Sequence, residues 1–186
     1  MAFEFALPAN VDPLAATRDA RLRRMVSEHL DGVWRALRRF GVPEAAADDA
    51  TQKVFVVAAR RLAEIEEGGE RQYLLGIAWR VASDTRHALR RRREVPIDEI
   101  AAGASLVAPA RQPDHALEHK ETLELLAALL GEMPQALRDA FVLFELEDLN
   151  AAEVARVLNV PVGTVASRVR RAREHIRKHL EGGRTP

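Results

Sequence analysis

The sequence predicts an all-α protein in which two small helical domains are joined by a flexible linker. Apolar residues recur at intervals of three and four along most of the chain, whereas strand-like alternation is nearly absent. A content of 47% hydrophobic and 30% charged residues suits a folded core and excludes a disordered chain. The helical pattern stops between residues 94 and 116, where three prolines and scattered small residues replace it.

This interruption sets the expected domain boundaries. We predict a loose N-terminal segment (1–14), a first domain (15–93), the linker (94–116), a second domain (117–182) and a short tail (183–186). A chain of 186 residues can bury one sizeable core or two small ones, so two small domains are within its reach.

The first domain is predicted to contain three helices. The first spans about residues 15–40 and ends at Gly41, since glycine commonly follows the last turn of a helix. Pro43 suits the first turn of the second helix, where its missing N–H has no helical partner anyway. The stretch "EEGGE" at 66–70 then breaks the pattern, and a third helix follows over about 71–93.

The second domain is predicted to have four helices and to close with a helix-turn-helix. Asn150 can cap a helix over 151–158, and Glu153 three positions later completes a capping-box pattern. Asn159 suits the left-handed conformation that ends such a helix. A Val-Pro step then turns the chain into a last helix that starts at about Pro161.

This last helix has two contrasting faces. A stripe predicted to be buried contains Val162, Val165, Val169, Ala172, Ile176 and Leu180. The opposite face contains Gly163, Ser167, Arg170, Arg171 and Lys178. An arginine run alone would fit a solvated face of an ordinary bundle helix. The cap, the tight turn and the valine stripe together favour a helix that enters the major groove of DNA.

Major-groove chemistry suggests a role for each polar side chain on this helix. Arginine can bond guanine O6 and N7 in bidentate fashion, and serine can donate or accept. We therefore expect Ser167, Arg170 and Arg171 to read bases. Arg168 and Arg173 flank this face and are expected to contact phosphates, which position a protein without reading sequence.

Two surfaces of the first domain are further candidates. The second helix buries Ala50, Val54, Ala58 and Leu62, and it points Asp49, Gln52, Lys53 and Val56 outward as a possible partner surface. A solvated face with one stray valine is the alternative. On the third helix Trp79, Ser83, Arg86 and Arg90 lie opposite the apolar residues. A tryptophan beside arginines suits single-stranded DNA, although Trp79 packed against the linker or the other domain remains open.

In combination these motifs resemble the extracytoplasmic-function sigma factors, the minimal promoter-recognition subunits of bacterial RNA polymerase. The resemblance runs from about residue 20 to 180. "DDATQKVFVVAARRL" is similar to the helix that binds the polymerase clamp, and "YLLGIAWRVASDTRHALRRRR" is similar to the helix that meets the minus-10 element. "MPQALRDAFVLFELEDLNAAEVARVLNVPVGTVASRVRRAR" resembles the minus-35-binding domain.

The resemblance implies partners and site residues. Core RNA polymerase would contact Asp49, Gln52, Lys53 and Val56. The minus-10 strand would contact Tyr73, Trp79, Arg80, Ser83, Arg86 and Arg90. At the minus-35 element, bases would meet Ser167, Arg170 and Arg171, and phosphates would meet Thr164, Arg168 and Arg173. An anti-sigma protein is a further candidate partner.

Composition narrows the remaining classes of function. The formal net charge is zero, so nucleic-acid affinity must come from local clusters of arginine. The absence of cysteine excludes disulfide frameworks and thiolate chemistry. Because the N-terminus lacks a signal-peptide pattern and no stretch reaches the roughly 20 apolar residues of a membrane span, we expect a cytoplasmic protein.

Two other classes fit parts of the sequence. A stand-alone helix-turn-helix regulator ends in similar helices, but it leaves the first domain unexplained. A metal protein or enzyme is suggested by His115 with His119 and by His175 with His179, each pair spaced i, i+4. No Glu or Cys completes either ligand set, so we predict no enzyme, no metal and no cofactor.

Overall fold

The computed structural model describes residues 13–94 and 116–182, and every regular element within them is a helix. The seven α-helices there are α1 Pro13–Arg39, α2 Glu44–Arg60, α3 Glu70–Glu94, α4 Ala116–Glu132, α5 Gln135–Phe141, α6 Ala151–Leu158 and α7 Val162–Gly182. A 3₁₀ turn, Leu62–Glu64, follows α2, and a π-helical turn, Val142–Leu146, follows α5. The predicted all-α class is confirmed. The expected N-terminal segment, nearly all of the linker and the tail lie outside the described residues.

The helices α1, α2 and α3 pack together into a first unit. Phe40, Leu37 and Val54 are each fully buried at its centre. Gly41 ends α1 with φ at +90°, a backbone conformation that costs other residues a steric clash. Its N–H donates to Arg38 O at 2.9 Å, and Val42 N–H donates to Leu37 O at 3.0 Å. These are the two bonds of a Schellman motif, which explains the predicted stop at this glycine.

The second unit forms around α7, which packs against α5 and α6. Val165 and Ala172 are fully buried in the middle of α7, and Val169 is 5% exposed, as the stripe predicted. The stripe was wrong at its ends, where Val162 is 50% and Leu180 is 46% exposed. Both lie near a terminus of α7, beyond the central stretch that the neighbouring helices cover, and periodicity alone cannot show where such cover ends.

The π-helical turn after α5 is a feature that the sequence did not predict. Glu147 N–H donates to Val142 O at 2.9 Å, a bond that spans five residues instead of four. One extra residue in a turn rotates every later side chain by about 100° relative to a continuous α-helix. Glu147 is thereby directed inward and is only 5% exposed.

The two units pack against each other, and their apolar core is continuous. Gly76 of α3 faces α6 so closely that a Cβ added there would lie 3.8 Å from Val157 Cγ2. Leucines and valines from both units belong to the same buried cluster. The sequence left the relative placement of the domains open, and the structure resolves it as a direct contact between α3 and the second unit.

Candidate nucleic-acid interface

The helix-turn-helix begins with the predicted capping box. Asn150 Oδ1 accepts the backbone N–H groups of Ala152 and Glu153 at 3.0 Å each, and Glu153 Oε2 accepts the Asn150 N–H at 2.8 Å. These bonds satisfy N–H groups that have no partner within the helix. Asn159 ends α6 in the left-handed conformation with φ at +51°. The capping and turn predictions are both confirmed, and together they fix the angle at which α7 leaves α6.

The side chains predicted to read bases lie on the outward face of α7, and they differ in exposure and in their bonding partners. Arg171 is exposed and has no hydrogen bond or ion pair among residues 13–94 and 116–182. Arg170 is exposed and pairs with Glu174 at 2.6 Å, one helical turn away. Such an exposed i, i+4 pair is worth only about 0.3 to 0.5 kcal/mol, so a nucleic acid can displace it. Ser167 is half-buried, and its hydroxyl donates to Thr164 O at 2.9 Å.

The predicted phosphate contacts are less uniform than their spacing suggested. Arg173 is exposed, and its Nε donates to Glu145 Oε1 of the π-helical turn at 2.7 Å. Thr164 is half-buried in the first turn of α7. Arg168 is half-buried and lines the cleft between the two units. Of these three residues, only Arg173 is exposed, and its guanidinium is already bonded to the carboxylate of Glu145.

The outward face of α2 has the predicted orientation. Ala50, Val54, Ala58 and Leu62 are at most 3% exposed. Asp49, Gln52, Lys53 and Val56 are all exposed, with Val56 at 43%. An exposed valine between charged neighbours on a well-packed helix is a small surface on which a partner can bury apolar area. The role of this surface stays a prediction.

The proposed minus-10 face of α3 is where the structure differs most from an open DNA surface. Trp79 is half-buried, and its indole N–H donates to Asp139 Oδ2 of α5 at 2.9 Å. The Arg86 guanidinium lies 3.6 Å from the same carboxylate. The alternative that the sequence left open for Trp79, packing against the neighbouring domain, is therefore the one observed.

Asp139 is the centre of this contact. Its carboxylate is also bonded by the Gln135 amide at 2.6 Å, and the residue is only 6% exposed. Burial lowers the pKa of Arg86, and the charge of Asp139 acts in the opposite direction. Arginine keeps its proton at any ordinary pH, so Arg86 places a positive charge beside this buried carboxyl group. Nothing in the sequence pattern around Asp139 marked it as a partner of α3.

The other four residues proposed for the minus-10 strand lie either near this junction, the contact between α3 and the second unit, or away from it. Ser83 and Arg90 line a cleft of about 360 Å³ between α3 and the second unit, and Trp79, Arg86 and Arg168 line the same cleft. Arg80 is exposed, and Tyr73 is half-buried against the core. Four of the six predicted residues therefore line one cleft, and Tyr73 and Arg80 are not among its lining residues.

Two histidines of α7 and one glutamate of α4 lie close together among the described residues. His175 and His179 have ring centroids 4.2 Å apart, and His179 Nε2 lies 2.8 Å from Glu132 Oε2. Across residues 13–94 and 116–182, no group of three or more possible ligands is placed to hold a metal ion. The side chains of His115 and His119 lie outside the described part. In that part, no helix is long and apolar enough to cross a membrane.

The second unit matches a known protein family. The family described as sigma-70, region 4, matches residues 123–176. This range runs from α4 through the helix-turn-helix and includes Ser167, Arg170, Arg171 and Arg173. The match therefore covers the capped turn and the exposed arginines whose geometry is given above.

Two curated relatives match over most of the chain. The ECF RNA polymerase sigma factor SigE of Mycolicibacterium smegmatis is 30% identical over 158 residues, which are 84% of this chain and 60% of that relative. The RNA polymerase sigma-H factor of Pseudomonas aeruginosa is 30% identical over 152 residues, 77% of both chains. The chain thus spans 60% of the length of the first relative and 77% of the second.

Two solved structures share the fold. CnrH, in complex with the cytosolic domain of CnrY, has a TM-score of 0.64 at 24% identity, covering 91% of this chain and 96% of CnrH. The sigma factor RpoE of Bartonella quintana, in complex with the anti-sigma factor NepR, has a TM-score of 0.63 at 20% identity, covering 87% and 97%. At these identities the likeness establishes the helical fold of the chain.

Proposed function

Because the chain belongs to the extracytoplasmic-function family of RNA polymerase sigma factors, we propose that it binds core RNA polymerase and directs promoter-specific initiation of transcription. The observation that carries this proposal is the coincidence of the region 4 match at 123–176 with a capped helix-turn-helix whose last helix exposes arginines. A helix of that shape fits a major groove, and its arginines can bond guanine edges.

Each of the two units would have its own role. The first, residues 15–93, would hold core polymerase through the outward face of α2 and hold the separated minus-10 strand through α3. The second, residues 117–182, would read the duplex minus-35 element through α7. The linker, residues 94–116, would span the distance between the two promoter elements. None of these steps requires bond chemistry from the protein, so we propose that the chain is not an enzyme.

At the minus-35 element, the exposure of each side chain supports a distinct role. Arg171 is exposed and unpaired among the described residues, which suits direct bonding to a base edge. Arg170 has only an exposed pair with Glu174 to give up. Arg173 lies closer to the packed face and must exchange Glu145 for a phosphate. Ser167 would read a base by a hydroxyl that now donates to its own helix.

At the minus-10 element, the physical task is to hold a strand whose bases have left the stack. A base stacked on an aromatic side chain gains about 1 to 3 kcal/mol, which offsets the few kcal/mol that unstacking costs. Trp79 would supply the ring, and Arg86 and Arg90 would follow the backbone. Ser83, Arg80 and Tyr73 complete the proposed contact set.

Core RNA polymerase and promoter DNA are the proposed partners, and the proposed place of action is the cytoplasm, where transcription takes place in bacteria. An anti-sigma protein is a further proposed partner, because one of the two matched structures, RpoE of Bartonella quintana, is bound to the anti-sigma factor NepR. A protein with this role needs no cofactor of its own.

The proposal is tested by reconstitution. Purified protein is mixed with core polymerase, and the complex is isolated by size-exclusion chromatography. The complex is then supplied with fragmented genomic DNA of the source organism, and the 5′ ends of the transcripts are sequenced. We expect a stable complex and a limited set of start sites that share two upstream elements. A protein that binds duplex DNA alone and forms no complex with core polymerase would instead be a stand-alone regulator.

A further inference from the structure

The cleft between α3 and the second unit has a lining that favours an anionic ligand. Three arginines line it, Arg86, Arg90 and Arg168, and the only acidic residue of the lining is Asp139. Even with Asp139 ionised, two positive charges of this lining are left unbalanced, in a chain whose formal net charge is zero. A concave site lined by one sign of charge concentrates ions of the opposite sign.

The carboxyl group of Asp139 already has its partners. It accepts the Trp79 indole N–H at 2.9 Å and the Gln135 amide N–H at 2.6 Å, and Arg86 lies 3.6 Å from it. Burial lowers the pKa of Arg86, the charge of Asp139 raises it, and the charge of Arg90 lowers it again. Arg90 therefore acts on Arg86 as a neighbouring like charge that Asp139 does not cancel.

Arg90 of α3 and Arg168 of α7 bring positive charge into the cleft from opposite units. Arg90 is exposed and Arg168 is half-buried. Within residues 13–94 and 116–182, neither has a hydrogen bond or an ion pair. Burial has removed part of the water around Arg168 without giving it an acceptor, which favours a ligand with anionic oxygens. A planar guanidinium bonds a phosphate through two parallel N–H groups.

The remaining lining residues favour a ligand that also contains a flat ring. Trp79 provides an aromatic ring, Leu158 and Val160 provide aliphatic side chains, and Ser83 provides a hydroxyl group. Nucleic-acid bases stack on aromatic side chains whatever their sequence. Sites for small molecules commonly have volumes of about 300 to 1,000 Å³. The cleft, at about 360 Å³, lies near the lower end of this range, which matches one nucleotide better than a longer strand.

We propose that the cleft is a binding site for a free nucleoside polyphosphate, whose phosphates bond Arg90 and Arg168 and whose base packs against Trp79. Arg168 thereby has a partner other than the minus-35 phosphate that its spacing suggested. The site itself does not rest on the proposed function. If both hold, a nucleotide and a melted minus-10 strand exclude each other at Trp79 and Arg90.

Tryptophan fluorescence tests the site directly. The chain has two tryptophans, Trp34 and Trp79, so Trp34→Phe leaves Trp79 as the only indole. The full-length variant is titrated with ATP and with GTP at about 0.15 M salt, where attraction between distant exposed charges is largely screened. We expect saturable quenching of Trp79 fluorescence by both nucleotides. Fluorescence that neither nucleotide changes overturns the proposal.

Pyrophosphate measures what the base contributes to binding. It offers phosphates without a ring, and its affinity is obtained by competition with ATP. We expect pyrophosphate to bind about tenfold more weakly than ATP, because stacking on the indole is lost. Equal affinities for pyrophosphate and ATP would show a simple anion site, and the nucleotide assignment would be wrong.

Arg168→Gln tests the assigned phosphate contact, and Arg171→Gln is its matched control. Each substitution removes one positive charge from α7, but Arg171 is exposed and does not line the cleft. We expect Arg168→Gln to weaken ATP binding about tenfold and Arg171→Gln to change it little, since only the first loses a charged hydrogen bond to the ligand. Thermal melting by circular dichroism verifies that both variants are folded. Equal losses would indicate diffuse attraction to a basic surface and overturn the site.

Ala136→Phe tests the location of the ligand without a change of charge. Ala136 lines the cleft, whereas Ala128 is an exposed alanine of α4 outside it, so Ala128→Phe adds the same ring elsewhere. We expect only Ala136→Phe to remove ATP binding. A short single strand of thymidylates is titrated in parallel. If that strand, and neither ATP nor GTP, quenches Trp79 in a manner that depends on Arg168, the occupant is nucleic acid and the proposal is wrong. Polymerase is absent from all these measurements, so their failure leaves the proposed function standing.

Discussion

The indole N–H of Trp79 donates to the carboxylate of Asp139 at 2.9 Å, although 60 residues separate the two along the chain. This bond joins the helix proposed to capture melted DNA to the domain proposed to read duplex DNA. It also gives Trp79 two separable properties, a ring that can stack and a donor that holds the units together. Substitutions that keep one and remove the other distinguish them.

Trp79→Phe should keep the stacking surface and lose the bond to Asp139, whereas Trp79→Ala should lose both. We expect Trp79→Ala to lower open-complex formation by the loss of about 1 to 3 kcal/mol of stacking. Trp79→Phe should retain most of the melting. Permanganate footprinting measures the melting. If Trp79→Ala melts promoters normally while remaining folded, the tryptophan serves only to pack the two units.

Arg171→Ala and Arg173→Ala should differ in the kind of loss that they cause. The first should cost about 1 to 3 kcal/mol and relax preference at one base position of the minus-35 element. The second should weaken all promoter sequences alike and lower the slope of log affinity against log salt by about one. Holoenzyme binding to promoter variants at several salt concentrations separates these effects.

Glu145→Gln is the matched control for Arg173→Ala. It removes the carboxylate that now bonds the guanidinium at 2.7 Å, so it should strengthen binding to all sequences, the opposite sign to Arg173→Ala. Unchanged base selectivity in Arg171→Ala would contradict the assignment of Arg171 to base reading.

Val56→Glu should weaken the complex with core polymerase, because it replaces the single apolar side chain among the four residues of the outward α2 face with a charge. Leu30 of α1 is 44% exposed, against 43% for Val56, so Leu30→Glu introduces the same charge at an equally exposed apolar position outside the proposed surface. Titration of labelled protein with core polymerase measures both affinities. Equal effects of the two substitutions would show that the α2 face has no special role.

Asn150→Ala should destabilise the second unit by about 1 kcal/mol, because two backbone N–H groups lose their acceptor at the start of α6. Asn159→Gly at the other end of α6 should have a smaller effect, since glycine adopts its positive φ without strain. Urea unfolding followed by circular dichroism gives both values. A larger loss for Asn159→Gly than for Asn150→Ala would contradict the capping argument.

Glu70 makes the stability of the first unit depend on pH. A hydrogen bond from its own backbone N–H lowers the pKa of Glu70, and the Arg21 guanidinium and the Gly68 N–H lower it further. A carboxyl whose pKa falls on folding stabilises the protein above its ordinary pKa of about 4.3, and this contribution disappears as the pH falls through the lower folded value.

Glu70→Gln should therefore be less stable than the wild type at neutral pH, and the difference should shrink as the pH falls below about 4. Urea unfolding of both proteins across this range measures the difference. Glu66→Gln, at an exposed position in the preceding turn, serves as the comparison. A difference between Glu70→Gln and the wild type that is the same at all pH values would contradict the assigned role of the charge.

The sequence by itself determined the features that depend on near neighbours in the chain. The Schellman ending at Gly41, the capping box of Asn150 and Glu153 and the left-handed Asn159 follow from residues within about five positions of one another. The buried stripe of α2 follows from a repeat of four residues. Helical periodicity and capping chemistry act over that range, so a single sequence carries enough information to predict them.

Only the tertiary structure decided which side chains of the two units contact each other. Asp139 meets Trp79 over 60 residues of chain, and Glu147 meets Arg39 over 108. The π-helical turn that directs Glu147 inward has no local pattern, and the exposed ends of the α7 stripe depend on where neighbouring helices stop. A helix face that is free in one arrangement of the units is covered in another, because burial is decided by packing between elements and periodicity specifies only which residues share a face.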